Sequence, residues 1–287
     1  MVIRPMRPGE LAFAAECTAR EGWAGETLET FKASHDREPE GCLLAEEAGR
    51  PLGICVATSY GGFGFIGELI VRPEARGRGI GPRVLRAAVE YLGTRGAGSI
   101  YLDGVVKAVP FYELSGFRRV CLSLRFSGRP LDFPPPAPQG TGRLRPMRSE
   151  DLSSVRALDR EAFGADRGYF LERLSFEHPE FAWLAEDEKG IAGYILAHPG
   201  RDVVAVGPWV VSERWARPIG MLEPIRDAAE GLPLRIGVLE TNAAAGRAFR
   251  SLPGLAEEPP SLRMVLGPSG RLGNSPMCWA IGSPAKG

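Results

Sequence analysis

Arg76–Gly81, with the sequence RGRGIG, follows a strand-like run at 65–71 and opens a helix-like run that begins near Pro82. A strand, a glycine-rich turn and a helix N-terminus together form an anion site, because unpaired N–H groups and the helix dipole both favour negative charge there. Glycine permits positive φ and a close approach of the backbone to a diphosphate. The turn has glycine at three alternating positions, Gly77, Gly79 and Gly81. The sequence therefore predicts a pyrophosphate-binding turn.

The spacing of these glycines excludes two common phosphate-binding motifs. A dinucleotide fingerprint requires G-x-G-x-x-G and a P-loop requires G-x-x-x-x-G-K-[ST], whereas this turn reads Arg-x-x-Gly-x-Gly. Apolar residues then recur at helical spacing as far as Leu92, which predicts an amphipathic helix over 82–95. A predicted strand at 99–103 comes next. A short helix follows within Val109–Phe117, which carries Phe-Tyr and ends in Gly-Phe.

Together these motifs resemble the acetyl-CoA loop and the closing Phe-Tyr…Gly-Phe helix of the GNAT acyltransferase superfamily. The motifs cover about residues 65–117. Leu102–Val105 and a tandem layout are similar to a bacterial subgroup with two GNAT-like domains. The resemblance implies a mixed α/β (α+β) fold in which each domain has a mostly antiparallel, twisted central sheet flanked by helices. It also implies an acetyl-CoA-dependent N-acetyltransferase with acetyl-CoA as co-substrate.

The resemblance also implies which residues bind the coenzyme. Backbone N–H groups of the turn would hold the pyrophosphate, and its two arginines would add positive charge. The residues expected to bind the pyrophosphate are Arg76, Gly77, Arg78, Gly79, Ile80 and Gly81. The pantetheine arm would lie along the preceding strand and contact the main chain of Leu69, Ile70 and Val71. Gly67 is consistent with a bulge in that strand. One departure from the family pattern is Val105, where many members carry an Asn.

Two residues are candidates for catalysis. Tyr112 stands where the family carries the tyrosine that protonates the leaving thiolate, and its phenol is protonated at pH 7. Glu68 stands where several members place a carboxylate that accepts a proton through water. Strict alternation along the strand predicts that Glu68 shares a face with Ile66 and Ile70, which would place a carboxylate at the border of a cleft and raise its pKa. A packing tyrosine and a solvent-facing glutamate are the alternative interpretations.

The acceptor is the least determined part of the sequence interpretation. A small-molecule primary amine is the first expectation and a protein lysine or N-terminus the second. A non-catalytic acyl-CoA-binding or scaffold protein is the alternative function. Four aromatic residues would either line the acceptor cleft or belong to the core: Trp23, Phe31, Tyr60 and Phe63.

Composition indicates a globular protein. The 287 residues carry 35 basic and 35 acidic side chains, so neither a nucleic-acid nor a membrane partner is expected. Five scattered cysteines without a C-x-x-C pair, together with the lack of a signal-peptide pattern, predict a cytoplasmic protein with reduced thiols. No metal site is expected from three distant histidines. The sequence leaves a homodimer open.

An internal repeat predicts two domains. Ile3–Leu11 returns as Leu144–Leu152, and a proline-rich stretch separates the copies. The predicted division is a catalytic GNAT domain at 1–128, a linker at 129–142, a second GNAT-like domain at 143–268 and a tail at 269–287.

The second copy lacks the glycine-rich turn. It has Trp215–Gly220 (WARPIG) in its place, and Pro218 removes an N–H group. We therefore expect that the second domain does not bind CoA, and that it instead buttresses the first or shapes its acceptor cleft.

Overall fold

The structure, a computed structural model, describes residues 1–131, 133, 142–270 and 275–287. Most of the predicted linker at 129–142, and residues 271–274 of the predicted tail, lie outside the described residues. The chain divides into two compact units. Unit 1 comprises Met1–Val120, Leu262–Ser269 and Pro284–Gly287, and unit 2 comprises Cys121–Ser261 and Gly270–Ser283.

Unit 1 has a sheet with helices on both faces. Its strands are β1 (Val2–Pro5), β2 (Cys42–Glu47), β3 (Arg50–Ser59), β4 (Phe63–Val71) and β5 (Ser99–Val105). Its helices are α1 (Leu11–Arg20), α2 (Leu28–Arg37), α3 (Ile80–Thr94) and α4 (Val109–Leu114). The strands lie in the order β1-β2-β3-β4-β5, with antiparallel pairing except between β4 and β5. This arrangement confirms the predicted mixed α/β class.

The two faces of this sheet bury separate apolar clusters. The predicted stripe of α3 is buried on one face through Ile80, Val84, Leu85, Ala88 and Leu92. On the other face, buried residues of α1 and α2 pack on the sheet, among them Leu11 and Phe31. Truncating a fully buried leucine such as Leu92 would cost about 2–5 kcal/mol of folding free energy.

Unit 2 repeats this order of elements. Its strands are β7 (Arg143–Pro146), β8 (Ala182–Asp187), β9 (Gly190–Pro199), β10 (Val204–Val211), β11 (Leu234–Leu239) and β13 (Cys278–Ala280). Its helices are α5 (Leu152–Phe163), α6 (Gly168–Glu177), α7 (Leu222–Ala228) and α8 (Ala243–Ser251). The strands β7 to β10 are antiparallel, β10 and β11 are parallel, and β13 pairs with β10.

Two further strands each contribute to both units, β6 (Arg118–Gly128) and β12 (Leu255–Leu266). From Cys121 onward β6 belongs to unit 2, where it pairs with β11 from Ser123 to Gly128. The last residues of β12, from Leu262, belong to unit 1 and lie beside β5. The units therefore differ from the linear division at 1–128 and 143–268.

A buried ion pair fixes the end of β12 within unit 1. Arg263 pairs with Asp103 of β5 through two nitrogens, and both side chains are almost completely buried. Breaking a buried pair by removing one partner costs about 3–5 kcal/mol, because the other charge is left unpaired. This pair holds the last residues of β12 beside β5.

Candidate active site

The glycine-rich turn connects β4 to α3. A 3₁₀ turn at Pro73–Ala75 follows the strand, and Gly77 and Gly79 then adopt left-handed conformations with φ of 77° and 72°. Gly79 is the N-cap of α3, so the helix begins at Ile80 and not at Pro82 as predicted. Apart from the adjoining chain, no described residue has an atom within 4 Å of a Cβ placed on Gly77 or Gly79. The N-terminus of α3, whose first N–H groups have no intrahelical partner, is thus open to a ligand.

Both arginines of the turn are exposed and paired with carboxylates. Arg76 pairs with Glu21 and also donates through Nε to Val71 O at 2.9 Å, which ties the turn to the end of β4. Arg78 Nη2 lies 2.6 Å from Glu47 Oε2. Exposed ion pairs contribute little to stability, so either guanidinium can turn to an incoming anion at low cost.

A bulge interrupts β4 next to Gly67. Val56 of β3 faces Gly67 while Ile54 faces Ile70, so three steps along β4 oppose two along β3. Glu68 lies in the bulge with φ of 46°, a conformation that costs a non-glycine residue free energy and is common at functional sites. The bulge re-aims the side chains that follow it.

The bulge also corrects one expectation from the sequence. Ile66 packs in the cluster beneath α3, whereas Ile70 packs in the cluster beneath α1 and α2. The prediction that Ile66, Glu68 and Ile70 share one face is therefore wrong, because the extra residue shifts the alternation. Glu68 is nevertheless buried, with 3% of its surface exposed.

Strands β4 and β5 separate beyond the start of their ladder. Phe63–Phe65 pairs with Ser99–Tyr101, and the described pairing of these two strands ends there. Leu69, Ile70 and Val71, the residues predicted to contact the coenzyme, lie past this point. Ile70 and Val71 pair with Ile54 and Gly53 of β3, and Leu69 lies in the bulge before them. Among the described strands, the other backbone edge of this segment borders a wedge between β4 and β5.

Glu68 faces two other charged side chains. Lys286 Nζ lies 3.6 Å from Glu68 Oε1 and 3.2 Å from Glu26 Oε2. The second oxygen of Glu68, Oε2, is buried and has no hydrogen-bond partner among the described residues. Burial raises the pKa of the Glu68 carboxyl to about 8, against the opposing effect of the Lys286 ammonium. The two carboxylates raise the pKa of Lys286 further above its usual value.

The segment Pro284–Gly287 carries this lysine to the bulge. Tyr60 donates its hydroxyl hydrogen to Lys286 O at 2.9 Å. A Cβ placed on Gly67 would lie 2.3 Å from Ala285 Cβ, so only glycine at position 67 leaves room for the segment. Of the four aromatic residues considered for the cleft, Tyr60 thus contacts the site, whereas Phe31 and Phe63 are core residues with 1% and 2% exposure.

Tyr112 lies on α4 against the other wall of the wedge. Its ring would be 2.8 Å from a Cβ placed on Gly104 of β5, so the missing side chain at position 104 lets the ring approach the strand. The ring also contacts Phe111 and Phe117, with centroids 4.9 and 6.1 Å away. Burial raises the pKa of Tyr112, which keeps the phenol protonated and able to donate.

Comparison with known proteins identifies the family. The profile of the "Acetyltransferase (GNAT) family" matches residues 10–117, and the profile of an "Acetyltransferase (GNAT) domain" matches residues 155–275. The chain belongs to the GNAT acetyltransferase family. The predicted tandem of two GNAT-like domains is confirmed.

Individual relatives and solved structures are similar to the chain. A proposed acetyltransferase from Pyrococcus horikoshii has 25% identity and a TM-score of 0.79, over 100% of this chain and 95% of its own. A tandem GNAT protein from the clavulanic acid biosynthesis pathway has 16% identity and a TM-score of 0.64, over 94% and 98%. YitH of Bacillus subtilis (strain 168), an uncharacterised N-acetyltransferase, is 27% identical over 138 residues. That match covers 48% of each of the two chains.

Proteins of the GNAT family bind acetyl-CoA or CoA. In unit 2, the region that corresponds to the bulge and wedge of unit 1 has a different structure. Its bulge contains Gly207 and Pro208, which occupy the place of Gly67 and Glu68. Strand β13 pairs with β10 just beyond this bulge, and Ile281 N donates to Gly237 O of β11 at 2.9 Å. The wedge between β10 and β11 is therefore filled by the chain itself.

Other residues of unit 2 hold this filling in place. Asn242, at the N-cap of α8, donates through Nδ2 to Pro276 O and Cys278 O at 3.1 and 3.0 Å. The ring of Trp279 lies 5.6 Å from that of Trp209. Trp215, in the segment that replaces the glycine-rich turn, is buried.

Two residues of the candidate site were not found from the sequence, Glu26 and Lys286. Glu26 lies in the loop before α2, and its position in the sequence does not distinguish it from other loop residues. Lys286 carried a weak signal: it is one of four lysines among the 35 basic residues of a chain that otherwise uses arginine.

Within the described ranges, no group of three His, Cys, Asp or Glu residues could hold a metal ion. No helix of the described part of the chain is long and apolar enough to cross a membrane.

Proposed function

We propose that unit 1 transfers an acetyl group from acetyl-CoA to the nitrogen of a primary amine, by direct attack in a complex that contains both substrates. The observation that carries this proposal is the buried Glu68 carboxylate, which contacts an ammonium group at a bulge beside the wedge. Acetyl-CoA would supply an acetyl group activated as a thioester. Membership of the GNAT family supports acetyl transfer in general, and the residues of unit 1 support the choice of an amine.

The residues of unit 1 suit the parts of acetyl-CoA. The left-handed glycines and the N-terminus of α3 suit the pyrophosphate, because they combine N–H groups with the positive end of the helix dipole. Arg76 and Arg78 can exchange their exposed carboxylate partners for phosphate oxygens. The backbone edge at Leu69–Val71 can take an extended amide-containing arm as an added strand.

Glu68 would remove a proton from the acceptor ammonium. An amine attacks only after it has lost that proton, and a base works best when its pKa is near the operating pH. The raised pKa of Glu68, about 8, suits this task better than that of an exposed carboxylate. Tyr112 would give its hydroxyl proton to the departing thiolate, which its position beside the wedge and its protonated state support.

Cys55 of β3 does not favour a route through an acyl-enzyme. Its Sγ donates a hydrogen bond to Gly67 O at 3.6 Å, and burial raises the pKa of the thiol well above its usual value. A thiol in this state is a poor nucleophile, because the thiolate is the reactive form. Direct transfer to the amine is therefore the simpler route.

The proposal is tested by measuring free thiol release from acetyl-CoA across a panel of primary amines. We expect amine-dependent release by the wild type and loss of release by Glu68→Gln. The control is Glu257→Gln, which removes a carboxylate from an exposed pair with Arg250 in unit 2 and should leave the rate unchanged. Binding of acetyl-CoA without thiol release for any amine would instead support a non-catalytic acyl-CoA-binding protein.

A further inference from the structure

The charges at the bulge are arranged as a pocket around one ammonium group. Exposed fractions are 1% for the Glu68 side chain, 11% for Glu26 and 13% for Lys286. A buried carboxylate is costly unless a cation faces it. Two of them converge here, and Glu68 keeps an unpartnered oxygen in the same place. The Lys286 ammonium supplies the positive charge that faces these two acids.

Glu26 is held at this place by the loop between α1 and α2. The hydroxyl of Thr18 donates to Glu26 O at 3.0 Å in a buried hydrogen bond, and Glu26 N donates to Trp23 O at 3.2 Å. Glu68 is positioned by the bulge. The two carboxylates therefore come from separate parts of unit 1 that the sheet and its helices bring together.

The occupant of the pocket is the Lys286 ammonium, which an unbranched side chain carries from the short segment Pro284–Gly287. Tyr60 holds the carbonyl of Lys286, Gly67 makes room for Ala285, and four methylene groups then carry the ammonium to the carboxylates. The contacts thus select a primary ammonium at the end of an alkyl chain. A guanidinium is larger, planar and never deprotonated in proteins, so it cannot become an acetyl acceptor.

We propose that Glu26 and Glu68 form the acceptor subsite of unit 1, that this subsite takes a lysine-type alkyl ammonium, and that Lys286 occupies it until an acceptor displaces it. This proposal rests on the proposed function, because it identifies the acceptor of that reaction. Glu68 contacts the acceptor nitrogen and receives its proton. Glu26 is a positioning residue that holds the ammonium without taking the proton.

The first experiment compares two substitutions of the occupant. Lys286→Met keeps the side chain long and apolar but removes the charge, whereas Lys286→Arg keeps the charge. For pentylamine, Lys286→Met should lower KM about tenfold, because the amine no longer competes with an internal ammonium. We expect the KM for acetyl-CoA to stay within twofold, and Lys286→Arg to leave the KM for pentylamine at or above the wild-type value.

The second variant addresses Glu26. Glu26→Gln in the Lys286→Met background should raise the KM for pentylamine about tenfold or more while kcat changes less than threefold, because a hydrogen bond to a charged group is lost from binding. A purely structural role of Glu26 would instead lower kcat and the thermal stability together, without this preference for the amine KM.

The amine panel also distinguishes the source of the acceptor. Nα-acetyl-lysine amide and pentane-1,5-diamine represent small molecules, and a ten-residue peptide with one internal lysine represents a protein acceptor. Either source supports the subsite if Lys286→Met lowers its KM. A branched amine such as 2-aminopentane should respond at most twofold.

A labelling experiment tests the subsite without relying on any variant. An activated acetyl ester, used without CoA, should modify Lys286 at least tenfold more slowly than the exposed Lys32 of α2. Saturating pentylamine also consumes the ester, so the ratio of Lys286 to Lys32 labelling is measured, and this ratio should rise when the amine is present.

The outcomes separate this inference from the proposed function. If thiol release depends on amines but neither Lys286→Met nor pentylamine has the stated effects, the subsite is refuted and the acetyltransferase stands. If no amine supports thiol release, both are refuted.

Discussion

The two bulges of the molecule, one in β4 of unit 1 and one in β10 of unit 2, show how related sequences lead to different sites. In unit 1 the bulge holds Glu68, and the wedge beside it has no strand partner among the described residues. In unit 2 the bulge holds Pro208, and β13 fills the wedge. A wedge already paired with the chain's own backbone offers no free edge to an extended arm, so among the described residues unit 1 keeps the features that we propose for acetyl transfer and unit 2 does not.

Buried charge differs between the units in the same sense. In unit 2, Arg167 lies just before α6 and pairs with Asp159 of α5 at 2.8 Å, and Tyr194 donates to the same carboxylate. That cation is neutralised within its own unit by residues that are almost completely buried. Unit 1 has a similarly fixed pair, Arg263 with Asp103, and in addition holds Lys286 on the short segment that we propose an acceptor displaces. The proposal therefore gives unit 1 an exchangeable ammonium beside a fixed pair of the kind found in unit 2.

The largest expected effect is that of Glu68→Gln. Because this change removes the proposed base, kcat should fall about 10²–10⁴-fold, while acetyl-CoA still binds. Steady-state kinetics and a binding titration on the same protein measure both quantities. A variant that keeps more than half of the wild-type kcat would show that the bulge carboxylate is not the base, and the contrast with Pro208 would lose its meaning.

The pH dependence of kcat/KM should report the same carboxylate. Glu68 must be ionised to accept a proton, and burial raises its pKa to about 8. The rate should therefore rise with pH and level off above about pH 8. The profile of Glu68→Gln should lack this rise in kcat/KM up to about pH 8. If the rise persists in the variant, the titrating group is not Glu68.

The next effect concerns the two ends of α3, which offer a matched pair of glycines. Gly79 and Gly96 both have positive φ, 72° and 81°, and neither has a described atom within 4 Å of an added Cβ. Replacing either with Val should cost about 1–2 kcal/mol of folding free energy. Only Gly79→Val should weaken acetyl-CoA binding, by about tenfold or more, equivalent to ~1.4 kcal/mol. Calorimetry of both variants would check this, and equal losses of affinity would contradict the assignment of the turn.

Tyr112→Phe should have a smaller effect. Thiolates leave more readily than most groups, so loss of the proton donor should lower kcat on the order of tenfold. The phenylalanine ring would pack where the tyrosine ring packs now, and the melting temperature should therefore change little. A fall in stability without a fall in kcat would support the alternative of a packing tyrosine.

The smallest effect on catalysis is expected from unit 2. Trp279→Ala removes a half-buried ring that packs on Trp209, and it should cost about 2–3 kcal/mol of folding free energy. Acetyl transfer should stay within twofold of the wild type at temperatures where the variant is folded. Loss of acetyl-CoA binding in this variant would place the coenzyme in unit 2 and reverse the comparison.

Local patterns in the sequence predicted most of unit 1. The glycine spacing and the apolar stripe to Leu92 identified the turn and α3, since both depend on residues near one another in the chain. The substitution of the turn by Trp215–Gly220 likewise indicated that unit 2 differs. Gly67 suggested a bulge, although its effect on the alternation of Ile66 and Ile70 was missed, because one extra residue leaves no mark in an apolar run.

Long-range features could not be predicted in the same way. Glu26 and Lys286 meet across 260 positions of the sequence, and no periodicity links them. Most of β6 belongs to unit 2 and the end of β12 belongs to unit 1. This division depends on which strand edges pair, and both strands are apolar enough to fit either sheet. The pairing of β13 with β10 comes from a segment that the sequence places only in a tail.

The central claim is that unit 1 alone holds the coenzyme, and a calorimetric titration of acetyl-CoA tests it most directly. The account predicts one equivalent bound per wild-type chain, none detectable with Gly79→Val at the same concentrations, and one with Trp279→Ala. Two equivalents per wild-type chain, or one that survives Gly79→Val and disappears with Trp279→Ala, would contradict it.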